Sequence, residues 1–142
     1  MTQEQKDLLL RDLCARLPYG VICKDDYAKV EGKLVQIGIN YDMCLLSDDY
    51  GKTEFAYIPN CKPYLFPLSS MTEEQYNEMQ TISGKDCMEH MEIEKEWRNN
   101  SPFTHLPLYQ HRVIEFFHKY HFDYRGLIPM GLAINATGLN IY

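Results

Sequence analysis

The stretch KLVQIGINYDMCLLSDDYGKTEFAYIP, residues 33–59, decides the fold. Its short runs are rich in β-branched and aromatic residues, and turn signals bound each one. In KLVQIGI, Leu34, Gln36 and Gly38 alternate with Val35, Ile37 and Ile39, so one strand face is strongly apolar. NYD (40–42) and DDYG (48–51) interrupt the runs, and the second reads as a hairpin loop. Upstream, YGVICK (19–24) adds another run, set off by KDDYAKVEG (24–32). Three or four consecutive short strands predict an antiparallel meander within a β-rich part at 19–66. An SH3-like barrel is its curled form, with Gly32 and Gly38 as places for the bends.

Helices flank this part. Thr2 and Gln5 can form a capping box at the start of a helix over 2–17. Leu10, Leu13, Cys14 and Leu17 then share one stripe, with Arg11, Asp12 and Arg16 facing away, and Pro18 and Gly20 stop the helix. PNCKPYLFPLSSM (59–71) holds three prolines, so it reads as an extended connector lying against the core rather than a central strand. Thr72 and Gln75 repeat the capping box ahead of a second helix, with Glu73 and Glu74 where the helix dipole favours negative charge. Residues 81–102 are the most acidic and least patterned. A last helix over about 103–121 places Val113, Phe116, Phe117 and Tyr120 on one face. Beyond it, Asp123–Gly126 reads as a capped turn. An apolar tail follows, with Leu127, Ile128, Leu132 and Ile134 expected to be largely buried. The fold class is therefore α+β: an N-terminal helix, a small antiparallel meander and C-terminal helices packed on it. All of 1–142 forms one domain, with 72–136 as the helical part.

Composition narrows the function classes. The chain has 142 residues, 45% hydrophobic and 24% charged, which suits one ordinary globular domain. A net charge of −6 and the lack of a long basic run argue against a duplex-DNA footprint. No apolar run reaches the length needed to span a bilayer, and the start is too polar for a signal peptide. Five scattered cysteines without a C-x-x-C fit small buried hydrophobes in a reducing, cytoplasmic setting.

His111, Glu115 and His118 fall at i, i+4 and i+7, which puts three candidate metal ligands on one helical stripe. That stripe lies opposite the Val113/Phe116/Phe117/Tyr120 face, so a solvated polar face is the plainer reading. Asp123 and Arg125 can pair or bind an anion, but such residues more often cap a helix end and fix a turn. Nucleophile-elbow and nucleotide-binding motifs are absent, and no cofactor is implied. Lys24, Lys29, Lys33 and Lys52 could line a groove for single-stranded nucleic acid. Asp25, Asp26, Asp48 and Asp49 beside them speak against it.

FHKYHFDYRGLIPMGLAINA (117–136), KPYLFPLSSMTEEQ (62–75) and DLLLRDLCARLPYGV (7–21) resemble a group of small uncharacterised proteins of Bacteroidetes genomes and their phages. The resemblance covers both ends and the proline-rich connector and is weakest across 77–104. It carries no catalytic residues. It implies a phage or mobile-element origin and a host-cytoplasm setting. The favoured reading is an accessory protein that binds a host or phage protein, since eleven tyrosines offer rigid amphipathic contact area. The candidate surfaces are the acidic 86–96 segment, with Glu92, Glu94 and Glu96, and the 111–121 outer face, with His111 and His118. A metal-dependent enzyme using His111, Glu115 and His118, or a nucleic-acid-binding barrel, would be the alternatives.

Overall fold

The computed structural model describes residues 1–83 and 110–142. Helix α1 (Gln3–Arg16) starts at the capping box read from sequence: Gln5 N–H donates to Thr2 Oγ1 and Thr2 N–H to Gln5 Oε1. The strands follow as β1 (Ile22–Asp25), β2 (Val30–Gly38), β3 (Met43–Ser47), β4 (Thr53–Tyr57) and β5 (Cys61–Leu65). Helices α2 (Glu73–Ser83) and α3 (Gln110–Lys119) come next, and a two-residue strand β6 (Ile134–Asn135) closes the order. The sheet order is β4-β3-β2-β1-β5-β6, antiparallel throughout except for β5 and β6. The class is the α+β arrangement expected from the sequence.

The sheet is not closed, because β4 and β5 share no ladder, yet it must curl. Four strand spacings separate β4 from β5 in the sheet order. Laid flat, these would span about 19 Å. The link is only the 3-10 turn Ile58–Asn60, which advances roughly 2 Å per residue. Asp25 holds the curl. Its Oδ1 accepts from Tyr27 N and Ala28 N, fixing the β1–β2 turn, and its Oδ2 accepts from Tyr57 N at 3.2 Å. One buried carboxylate thus ties the end of β1 to the end of β4.

The bend in β2 is a bulge rather than a glycine hinge. Register slips between Leu34 and Gln36, leaving Val35 unpaired and exposed while Leu34 is buried. The expected apolar face Val35/Ile37/Ile39 is therefore split: Val35 turns outward, while Ile37, past the bulge and paired with buried Cys44, packs against the core. Gly32 serves close approach instead: a Cβ there would sit 2.4 Å from the Ser47 carbonyl oxygen.

The proline-rich connector is also corrected. Its residues 61–65 form β5, flanked by β1 on one side and β6 on the other. Ile22 N–H and the Tyr64 carbonyl both face the β1–β5 gap, where the Tyr142 hydroxyl bridges them, accepting from Ile22 N (3.3 Å) and donating to Tyr64 O (2.7 Å). Alternation then turns Pro63 away from β1, before the residues that pair with β6, so its missing N–H leaves no ladder bond unmade.

Two cores result. One lies between α1 and the sheet and contains Leu9, Leu13, Leu34, Leu46, Leu65, Leu127 and the thiols of Cys23, Cys44 and Cys61. The other packs α2 on α3 through Met79, Val113, Phe116, Phe117 and Phe122. The hydrogen bond with Cys61, and then burial, push Cys44 far above the ordinary thiol range; the hydrogen bond with Cys23, opposed by that with Cys44, and then burial do the same for Cys61. Cys14, expected in the α1 stripe, is exposed; the buried side is Leu9, Asp12, Leu13 and Arg16. Of the tail residues, Leu127 and Leu132 are buried and Ile128 and Ile134 half-buried.

Replacing Asp25 by Ala leaves three backbone donors without their partner. It is expected to lower unfolding free energy by about 2–3 kcal/mol. Urea denaturation followed by circular dichroism measures this, and Asn at the same position should recover part of the loss.

Candidate protein-binding face

The residues singled out on α3 do not converge. His111 and Glu115 are exposed, whereas His118, expected on the outer face, is buried. Its Nε2 lies 2.9 Å from the Tyr124 hydroxyl, which accepts from Arg125 Nε at 2.8 Å and so has its own proton free for a neutral imidazole. Among the described residues no group of three His, Cys, Asp or Glu side chains could hold a metal ion. The proposed three-ligand stripe fails because the turn after α3 folds Tyr124 back over His118. Glu92, Glu94, Glu96 and the rest of the acidic segment lie outside the described residues.

The 118–128 stretch is a structural junction. Phe122 N donates to Phe117 O and His121 N to His118 O, a Schellman-type ending with His121 in the left-handed position (φ 56°) usually given to glycine. Asp123 accepts from Leu127 N (2.8 Å) and Ile128 N (2.7 Å), so it caps the next turn as expected. Arg125 does not pair with Asp123; its Nε lies 3.4 Å from Asp12 Oδ1. The His121 ring stacks on Tyr142 at 4.0 Å, and its buried Nδ1 has no hydrogen-bond partner. Burial, then the charge of Arg16, hold both His118 and His121 down at about 4.

An accessible apolar feature lies elsewhere, on the outer face of β2–β4. Strand register sets Gln36, Leu45 and Phe55 side by side across the three strands, and likewise Gly38, Met43 and Tyr57. Buried Cys44, Leu46 and Ala56 alternate with them, so these strands are apolar on both faces. Phe55 is 68% exposed, Tyr57 40% and Tyr41, in the β2–β3 turn, 80%. A cavity of ≈ 340 Å³ opens among Gln36, Gly38, Tyr41, Met43, Leu45 and Phe55. Gly38 contributes no side chain, which keeps one side of the hollow open.

Contiguous exposed apolar surface of this kind marks interaction sites. Its shape suits a bulky apolar side chain. Sequence reading missed this face, although the signal was present. Met43 and Leu45 match Cys44 and Leu46 in hydrophobicity, and Phe55 and Tyr57 take the outward parity of TEFAY.

No family model, curated protein or solved structure matches this chain. Among the described residues no helix is long and apolar enough to cross a membrane.

The two buried histidines make stability acid-sensitive. Their folded pKa of about 4 lies below the ordinary 6.5, so the unfolded chain takes the proton first. Their contribution is full above about pH 6.5 and is lost as pH falls toward about 4. At pH 5 each histidine should cost about 2 kcal/mol relative to pH 7.5. Denaturation midpoints at the two values check this, and His118→Gln, which retains an acceptor for Tyr124, should shrink the difference.

Proposed function

We propose that the chain is a protein-binding module, a small phage or mobile-element accessory protein whose β2–β4 outer face seats a partner protein. The observation that carries the binding part is the exposed Phe55 beside the open hollow between Tyr41, Met43 and Leu45. Anchoring aromatics next to a preformed pocket are the usual seat of binding energy in protein interfaces. The phage or mobile-element part rests on the resemblance of both chain ends and the connector. A tyrosine-rich, acidic chain without a catalytic motif fits the same reading.

Affinity capture from bacterial host lysate, quantified by mass spectrometry for wild type and Phe55→Ser side by side, tests it. Phe55 is mostly exposed, so the variant should keep its denaturation midpoint within about 0.5 kcal/mol of wild type. A protein enriched by wild type and lost with the variant is the expected result. Equal recovery by both would remove this face as the site, and nuclease-sensitive material in place of protein would move the reading to single-stranded nucleic acid.

A further inference from the structure

Resting on that reading, we propose that the partner contributes an extended segment with two basic side chains about six residues apart and bulky apolar residues between them. The ends of the apolar strip carry the argument. At one end Tyr41 adjoins Asp42; at the other, in the β3–β4 turn, Asp49 adjoins Tyr50. Tyr41 is 80% and Tyr50 96% exposed.

An exposed aromatic ring beside a carboxylate is suited to a Lys or Arg, which gains both a cation–π contact and an ion pair. Lys52 is the one cation between residues 41 and 57, against Asp42, Asp48, Asp49 and Glu54, a formal balance of −3. That lysine is already paired with Glu54. Asp48 is engaged in its own turn, accepting from Tyr50 N and Lys52 N. Among the described residues neither Asp42 nor Asp49 has a cationic partner.

Spacing then sets the length of the ligand. From residue 42 to the first turn residue, 48, the chain runs along β3, about 20 Å at the rise of an extended strand, and Asp49 lies one residue beyond. Area sets its kind. A Tyr or Phe side chain carries roughly 150–250 Å². Tyr41, Tyr50, Phe55 and Tyr57 at their observed exposures therefore offer on the order of 600 Å². A standard interface needs about 800 Å² per partner, so the strip fits a short segment better than the flat face of a second copy.

The test uses the full chain labelled with nitrogen-15 and three synthetic peptides: Arg-Ser-Leu-Ser-Leu-Ser-Arg, its Glu-ended counterpart, and an Arg-ended version with both leucines replaced by alanine. The first should shift the amide signals of Tyr41, Met43, Leu45 and Phe55. It should bind at least about tenfold tighter than either of the others and weaken as salt rises from about 50 to 300 mM. Asp42→Asn combined with Asp49→Asn should erase the preference for basic ends, with the denaturation midpoint unchanged. Equal affinity of the Arg-ended and Glu-ended peptides, or no shift at these residues, overturns the proposal. Lysate capture that depends on Phe55 but is indifferent to salt and to both aspartates would discard the basic segment and keep the binding face.

Discussion

The buried Arg16 guanidinium is the interaction on which the two halves of the molecule depend. Its Nε donates to Asp12 Oδ2 at 2.7 Å one turn earlier, both side chains being fully buried. Its Nη2 donates to Phe122 O at 2.7 Å and its Nη1 reaches Phe117 O at 3.5 Å. These carbonyls close the end of α3 and the turn after it. A single side chain on α1 thus serves as a cap for a helix about a hundred residues away. The same helix lays Leu9 and Leu13 into the sheet core. Desolvating two charges is costly, and the arrangement is tolerable only because the carbonyl contacts and Arg125 supplement the pair. Arg is suited to this place because its planar fork reaches several acceptors at once.

The sheet half obeys a different constraint. A three-residue turn joins two strands that lie four positions apart in sheet order, so the sheet curves or the connection breaks. The β2 bulge supplies the corner, Gly32 lets the end of β3 approach, and the Asp25 carboxylate locks the result. Curvature of this kind puts Leu34, Cys44, Leu46 and Cys61 inside and turns Met43, Leu45 and Phe55 outward. The exposed apolar face is thus a by-product of the corner.

Much of this was legible in the sequence. Both capping boxes, four meander strands and the Asp123 turn follow from local chemistry that acts within a few residues. What was not legible depended on distant partners. Asp12 and Arg16 read as solvent-facing because nothing in a helical pattern says that a guanidinium will find carbonyls of residues 117 and 122. Pro63 argued against a strand, and only the strand's neighbours show that its missing donor is harmless. His118 was placed on the outer stripe by periodicity, and Tyr124, six residues on, reverses that. The exposed apolar face was hidden for another reason: strands apolar on both sides look like core strands when only one of their faces is covered.

The three thiols of Cys23, Cys44 and Cys61 have a practical meaning. They come from β1, β3 and β5, strands distributed across the curled sheet, and they meet inside it. Shielded from solvent, all three are out of reach of reagents, and Cys44 and Cys61 are also held as protonated thiols, for as long as the strands stay together. Cys14, on the exposed side of α1, lacks that shielding. Alkylation at the three inner positions therefore reports the opening of the sheet, while alkylation at Cys14 reports only the presence of reagent. The molecule contains its own clock for unfolding, with an internal reference.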